Sequence, residues 1–301
     1  MNAITRGAFK SLSVTKNSAI RRFWSGSILS IGLLFALGST AAENTEVAAT
    51  NADLLDTAIK SAHRTPEQKA RDVFRHPAET LAFFEVEPNM TVVEIWPGAS
   101  GWYSAILAPY LREEGKFYAA QFNEKSEAAY FREGRKKYME MLKDNRAVYD
   151  RVTVTTFDPP AFLTIAPAGT ADRVLTFRNA HNWYMRGGGD EKVLAAFTAF
   201  HRALKPGGML GLVDHRLPED QPASKQETSG YLHQDYVIKM AEKAGFTFVA
   251  SSEINANPKD TADHVHGVWT LPPSLSMKEV DREKYLAIGE SDRMTLKFVK
   301  K

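Results

Sequence analysis

The stretch VVEIWPGASGWYSAIL (residues 92–107) joins a short apolar run to a helix-like run through a turn that contains two glycines. Residues 92–96 have the β-branched and apolar character of a buried strand. Gly98 and Gly101 allow positive φ angles and a close approach of a ligand to the main chain. A helix from Trp102 would direct its positive end at the turn. This order of elements predicts a ligand-binding turn, although a turn that only packs is the simpler alternative.

Further along the chain, short apolar runs alternate with amphipathic stretches. The predicted strands are TVVEIW (91–96), GKFYAAQF (115–122), RVTVTTF (151–157), DRVLTFR (172–178), GMLGLVDH (208–215), FTFVASSEI (246–254) and DRMTLKFVK (292–300). The predicted helices between them are WYSAILAPYL (102–111), EKSEAAYFREGRKKYMEML (124–142), DEKVLAAFTAFHRALK (190–205) and YLHQDYVIKMAEKAGF (231–246). Such alternation predicts βαβ units, and therefore an α/β fold whose mostly parallel sheet is covered on both faces.

The region before the first predicted strand has only helical patterns. Helices are predicted from Ala52, from Pro66 with Thr65 as the N-cap, and from His76. We therefore divide the chain into a signal peptide (1–42), a linker with a helical N-terminal extension (43–90) and an α/β domain (91–301).

Residues 1–42 have the order of a secretory signal peptide. Five basic residues precede the apolar run ILSIGLLFAL (28–37), and small residues follow it up to Ala42. This order predicts cleavage and a periplasmic or secreted mature chain without a membrane span, with an uncleaved membrane anchor as the alternative. Arg21-Arg22 loosely resembles a twin-arginine signal, so the export route stays open.

The charge and the lack of cysteine exclude some classes of function. The net charge of +2 becomes −3 without the signal peptide, because that segment holds five basic and no acidic residues. A slightly acidic mature chain gives no reason to expect a nucleic-acid partner. With no cysteine, the chain has no disulfide, no thiolate nucleophile and no cysteine metal ligand.

Several strings of residues carry a resemblance to a known family. They are EIWPGASGWY (94–103), FDPP (157–160), FRNAHNWY (177–184), LKPGGMLGLVDHR (204–216) and LHQDYVIKMAEKAGF (232–246). From about Ala70 to its end the chain resembles class I S-adenosylmethionine-dependent methyltransferases, and more closely a bacterial group of exported, predicted methyltransferases. The resemblance implies a Rossmann-like sheet with an antiparallel last strand, S-adenosylmethionine as cofactor, and methyl transfer to a small-molecule acceptor.

The same resemblance implies a cofactor site along the carboxyl ends of the first four strands. The implied residues are Glu94, Trp96, Pro97, Gly98 and Gly101 against the methionine part, Gln121 and Asn123 by the ribose, Asp158 by the adenine amino group, and Arg178 and Asn179 beside the methyl group.

The chain departs from the family pattern at two places. Trp96-Pro97 stands where the common pattern has a glycine, which makes the turn stiffer and bulkier. The second strand ends in Gln121, Phe122 and Asn123, where most class I enzymes have an acid that holds the ribose hydroxyls. A neutral amide binds a hydroxyl less strongly than a carboxylate does, so weaker cofactor binding is expected.

The candidate catalytic residues lie at the ends of the fourth and fifth predicted strands. Methyl transfer from a sulfonium needs in-line alignment, and a base when the acceptor is a hydroxyl or an amine. His181 or His215 is predicted as that base, with Asp214 orienting a histidine. A role in packing, or in a solvated loop, is the alternative for both histidines.

Two other classes of protein stay open. Ser100, Asp214 and His264 occur in the chain order of an α/β-hydrolase triad, although Trp102 replaces the second glycine of the nucleophile turn. Export also fits a non-catalytic ligand-binding protein on the same fold, because S-adenosylmethionine is made in the cytoplasm.

The remaining histidines give weaker signals. His264 and His266 could join His215 and Asp214 around a metal, but no pair in this set has helical i, i+4 spacing, so no metal site is predicted. His233 is predicted on the surface of a helix.

Overall fold

The computed structural model describes residues 50–301, which belong to one compact unit; the predicted signal peptide lies outside them. An eight-stranded sheet forms the centre, with the strand order β3-β2-β1-β4-β5-β8-β7 and β6 paired with β5 beside this path. The strands are β1 (Thr91–Ile95), β2 (Lys116–Gln121), β3 (Thr153–Thr156), β4 (Ala171–Phe177), β5 (Leu204–Leu217), β6 (Leu232–His233), β7 (Phe246–Ser252) and β8 (Arg293–Lys300). The predicted α/β fold is confirmed.

Helices pack on both faces of this sheet. The helices are α1 (50–60), α2 (Pro66–Lys69), α3 (Asp72–Arg75), α4 (Pro77–Phe83), α5 (Ser104–Tyr110), α6 (Ala129–Asp144), α7 (Arg146–Tyr149), α8 (Ala180–Tyr184), α9 (Gly189–Ala203), α10 (Gln234–Lys243) and α11 (Arg282–Ile288). Val93 and Ile95 of β1 pack in a cluster with residues of α9 and α10, whereas Val92 packs in another with residues of α4 and α5. This alternation explains why β1 is apolar on both sides.

The last strand reverses direction, as predicted. The strands β1 to β5 of the main path pair in parallel, but β8 runs antiparallel to both β5 and β7. Asp214 and His215 therefore lie opposite Met294 and Arg293, so the start of β8 is placed beside the end of β5.

Several predicted helix boundaries were wrong. The helix after the first turn begins at Ser104, two residues later than predicted, and α6 begins at Ala129. Leu204 belongs to β5 because its backbone pairs with Ala171, so α9 ends at Ala203. The helix predicted from Tyr231 begins at Gln234, because Leu232–His233 pairs with the end of β5.

The helical N-terminal extension shares a core with the sheet. Thr65 caps α2, as predicted, through a reciprocal hydrogen-bond pair with Gln68, but the helix predicted from Pro66 is split into α2 and α3. Leu55 and Leu81 are buried in the cluster that contains Val92. The division at residue 90 stays a prediction. Within residues 50–301, no helix is both long and apolar enough to cross a membrane.

Candidate cofactor and active site

The turn after β1 lies at the carboxyl edge of the sheet. Trp96, Gly98 and Gly101 all have positive φ, at 47°, 74° and 52°. A Cβ at Gly98 would have no atom within 4 Å, so the main chain there is open to a ligand. A Cβ at Gly101 would lie 2.8 Å from Tyr138, because the turn packs closely on α6 at that residue. Gly98 is therefore the accessible point of the turn, and Gly101 is required for packing.

The indole of Trp96 fills the space between the ends of the neighbouring strands. Trp96 is 8% exposed, and its Nε1 donates a hydrogen bond to the carbonyl oxygen of Phe157 at 2.8 Å. Its ring lies 5.1 Å from that of Phe122 and 5.6 Å from that of Trp183, measured between centroids. A bulky residue at positive φ is rare, so this packing holds the backbone in a strained conformation.

The polar residues at the ends of β2 and β3 bond to protein groups. Gln121 is fully buried; its Nε2 donates to the Gly98 carbonyl at 3.0 Å, and its Oε1 accepts from the Phe122 amide. Asn123 Nδ2 donates to Asp158 Oδ2 at 3.0 Å. The structure thus brings these residues together beside the turn, while their roles toward a cofactor stay predictions.

Two histidines and an aspartate meet at the ends of β4 and β5. His181 Nδ1 donates to Asp214 Oδ1 at 2.7 Å, and the His181 amide also faces this carboxylate. The rings of His181 and His215 lie 5.0 Å apart, and His215 Nδ1 lies 2.5 Å from Ser291 Oγ. Burial, followed by the nearby His181 and Arg293, lowers the pKa of His215 well below its usual value. The pair predicted from sequence, an aspartate that orients a histidine, is formed by Asp214 and His181.

The two residues predicted beside the methyl group differ in exposure. Asn179 is buried, and its Nδ2 donates to the Ile95 carbonyl at 2.8 Å and so links β4 to β1. Arg178 is half-buried and has a φ of 63°, and its amide donates to the Val213 carbonyl. Asn179 is thus a structural link, and Arg178 is the residue of the two whose side chain is left for other contacts.

Glu94 is directed into the protein. Ser104 Oγ donates to its Oε2 at 2.6 Å and lies 3.0 Å from the Tyr138 hydroxyl. Burial raises the pKa of Glu94 to about 8, although the Ser104 hydrogen bond and the charges of Arg75 and Arg178 act in the opposite direction. At neutral pH the carboxyl is therefore largely protonated.

This raised pKa predicts a pH dependence of stability. Between the ordinary value of 4.5 and about 8, the folded protein keeps a proton that the unfolded chain has released. The free energy of unfolding should fall through this window by up to about 1.4 kcal/mol per pH unit. Glu94→Gln should remove that slope. In urea unfolding at pH 5, 6.5 and 8, the free energy of unfolding of the variant should therefore rise relative to that of the wild type as the pH rises. The exposed Glu87→Gln is the control, and equal slopes for all three proteins would contradict the prediction.

The hydrolase triad suggested by chain order is not assembled. Ser100 is exposed on the turn, His264 Nε2 contacts Asp260 Oδ1 at 2.9 Å, and Asp214 is bonded to His181. Asp214 and His264 thus pair with other residues rather than with each other.

The histidine set considered for a metal is also separated. His264 is held by Asp260, and His266 Nδ1 lies 3.0 Å from Ser276 Oγ. His233 is the N-cap of α10 rather than a surface residue within it, and its Nε2 lies 3.0 Å from the Gln221 carbonyl. His181, Asp214 and His215 do place potential ligand atoms within 4.8 Å of one another. The prediction of no metal site therefore stays a prediction.

The sequence reading missed two groups of buried residues. Arg75 and Arg293 are 3% and 2% exposed and come together near Glu290. Asp260, in the long segment before β8, accepts hydrogen bonds from Tyr231 and from the Asp292 amide. Arg75 lies in a predicted helix and Arg293 at the start of a predicted strand, and these positions were the available signals. Their meeting depends on the tertiary fold.

A cleft of about 400 Å³ opens beside the turn. It lies between the helical extension, the turn and the end of α6, and its lining includes Gln68, Arg71, Ser100, Trp102 and Met141. The turn is therefore bordered by an open space with aromatic and cationic walls.

Known structures share this fold. No family model and no curated protein sequence matches the chain. A S-adenosylmethionine-dependent methyltransferase from Aquifex aeolicus is 17% identical, covering 76% of this chain and 92% of its own, with a TM-score of 0.50. The [4+2]-cyclase SpnF is 16% identical, covering 80% of this chain and 85% of its own, with a TM-score of 0.53. The chain has the class I methyltransferase fold, and because one of these proteins is a cyclase, the fold alone does not fix the reaction.

The residues of the turn fit one end of S-adenosylmethionine better than the other. The open main chain at Gly98 suits the methionine part. The adenine part would lie near Asp158, and the Trp96 indole fills the adjacent space and bonds to Phe157. An adenine in that position would lie close to the indole, which is bonded to the residue before Asp158.

Proposed function

We propose that this protein is a S-adenosylmethionine-dependent methyltransferase that acts on a small molecule and belongs to the exported bacterial group that its sequence resembles. The observation that carries the proposal is that the open turn at Gly98 and the His181–Asp214 pair lie at the same edge of the sheet. When bound, the cofactor supplies an electrophilic methyl group. The mature chain, from Glu43, is proposed to act outside the cytoplasm.

The proposal gives His181 the role of a base toward the acceptor. Asp214 accepts the hydrogen bond from Nδ1, which fixes the tautomer and leaves Nε2 with a free lone pair. Burial around His181, which is 4% exposed, limits competition from water. His215, whose pKa is lowered by burial, remains neutral beside it and adds no positive charge that would hinder proton uptake.

One observation favours a second candidate, a ligand-binding protein without methyl transfer. The Trp96 indole is bonded to Phe157, next to the Asp158 that the resemblance assigns to the adenine, and Gln121, which replaces an acid, is satisfied within the protein. Both features reduce the affinity expected for S-adenosylmethionine.

Isothermal titration of residues 43–301 with S-adenosylmethionine and with its demethylated product tests the proposal. We expect binding that weakens at least about 100-fold in Gly98→Asp, because the new carboxylate lies next to the methionine carboxylate. Gly169→Asp is the matched control: Gly169 also has a positive φ and open space around it, but precedes β4 at the opposite edge. No binding by folded wild-type protein would contradict the proposal and leave the second candidate.

A further inference from the structure

An unbalanced group of arginines lies beside the His181–Asp214 pair. Arg71 and Arg75, from the α2–α3 region, and Arg293, from the start of β8, surround the carboxylate of Glu290. Arg178 adds a fourth guanidinium that affects the pKa of Arg75. Although burial opposes it, the charges of Arg293 and Arg75 hold the pKa of Glu290 well below its usual range. The Glu290 carboxylate thus faces three guanidiniums, while Arg75 and Arg178 also act on Glu94, whose pKa is raised by burial.

Several nitrogens of this group have no hydrogen-bond partner. Arg75 is 3% exposed, yet its Nε and Nη1 are both unpaired, and its Nε lies 3.7 Å from Glu290 Oε2. Arg293 Nε and Arg71 Nη2 are also buried and unpaired. Within residues 50–301 the Arg178 side chain forms no hydrogen bond or ion pair. Buried guanidinium donors without acceptors are costly, so this arrangement indicates that an acceptor is missing.

The position of the group connects it to the proposed active site. Arg293 pairs across the sheet with His215, and the Arg178 amide is bonded to β5 through Val213. Arg71 also lines the cleft beside the turn. Arg71 therefore connects the cleft with the buried Arg75 and Arg293, which share the Glu290 carboxylate with it.

We propose that Arg75, Arg178 and Arg293 bind an oxyanion, a carboxylate or a phosphate, carried by a small molecule. Naming that molecule as the methyl acceptor rests on the proposed function, whereas the binding of the oxyanion does not. The guanidiniums offer the planar paired donors that match both oxyanions, and the low exposure of Arg75 and Arg293 strengthens the charge-assisted hydrogen bonds that they would donate.

A cation is the less favourable occupant of this region. The potential ligand atoms of His181, Asp214 and His215 lie within 4.8 Å of one another, but the Asp214 charge is already used by His181. Arg75, Arg178 and Arg293 act on His215 with their positive charge. A metal ion would have to overcome this repulsion, whereas an anion would be attracted by it.

The test is titration of the purified protein with inorganic phosphate and, separately, with acetate, in the absence of S-adenosylmethionine and at constant ionic strength. Isothermal titration and thermal unfolding give the affinity and the stabilisation on binding. We expect Arg75→Met and Arg178→Met each to weaken binding of the preferred anion by about 10- to 100-fold, the loss expected for charge-assisted hydrogen bonds. Arg112→Met is the control, because Arg112 is already paired with Asp150 elsewhere on the surface.

The preferred anion identifies the oxyanion of the ligand as phosphate or carboxylate. The proposal is overturned if folded wild-type protein binds neither anion, or if the arginine variants bind as the wild type does. Two variants are used so that failure of one to fold does not remove the test. Binding of phosphate or acetate without binding of the cofactor would support the oxyanion site and contradict methyl transfer. Binding of the cofactor without either anion would support the proposed function and contradict the oxyanion site.

Discussion

Trp96→Gly is expected to lower the free energy of unfolding by about 3 kcal/mol and to strengthen S-adenosylmethionine binding by at least about tenfold. Loss of the buried indole removes its contacts with Phe122 and Trp183 and its hydrogen bond to Phe157. Glycine recovers part of this loss because it tolerates the φ of 47° without strain. Binding should improve because removal of the indole leaves more room for the adenine beside Asp158, where the resemblance places it. Urea unfolding and isothermal titration measure the two effects.

The control for this prediction is Phe200→Ala. Phe200 is fully buried in the same hydrophobic cluster but belongs to α9, so its removal should destabilise the protein without improving cofactor binding. Thermal unfolding with added adenosine should rescue Trp96→Gly and leave Phe200→Ala unchanged. Weaker S-adenosylmethionine binding by Trp96→Gly than by the wild type would instead mean that the indole contacts the cofactor.

The sheet was predictable because its strands have a strong local signal. Residues 92–96 hold a single polar residue, Glu94, and residues 174–177 hold only Thr176, which is the pattern of strands covered on both faces, and both strands are central in the sheet. The antiparallel β8 followed from the family resemblance. The starts of α5 and α10 were less predictable, because backbone pairing and turn geometry decide them rather than the apolar pattern.

The candidate site was predictable only in part. His181 follows β4 and Asp214 lies near the end of the parallel β5, so their meeting at one edge could be expected from topology. The position of the Trp96 indole could not, since the sequence shows a bulky residue in the turn but not the side to which it points. The meeting of Arg75 with Arg293 depends on packing of the helical extension against β8, which no local pattern reports.

Hydrogen bonds from the segment between β7 and β8 hold part of the arginine group in place. Asn257 Nδ2 donates to the carbonyls of Ile288 and Glu290, and Asp260 accepts from the Asp292 amide. These bonds fix the backbone on both sides of Ser291. The positions of Glu290 and Arg293 therefore depend on polar groups in a segment that has little regular secondary structure.

Asp260→Ala is expected to lower the free energy of unfolding by about 3–5 kcal/mol, the cost of leaving buried partners of a charge unpaired. The Asp260 carboxylate accepts from the Tyr231 hydroxyl at 2.9 Å and from the amides of Ala262 and Asp292, and it contacts His264 Nε2. Tyr231 is fully buried, so its hydroxyl cannot turn to water instead. Urea unfolding measures the loss, and hydrogen exchange should show faster exchange across residues 253–292.

Two further variants separate this network from the general effect of a substitution in the segment. Asp263→Ala changes an exposed aspartate that accepts a hydrogen bond from the nearby Thr261 hydroxyl, so it should alter the free energy of unfolding by less than about 0.5 kcal/mol. Asp260→Asn keeps one carbonyl acceptor and the side-chain volume. Its loss of free energy of unfolding should therefore lie between the losses of the two alanine variants. A small effect of Asp260→Ala, with exchange across 253–292 unchanged, would mean that Asn257 and the pairing of β8 hold this segment without Asp260.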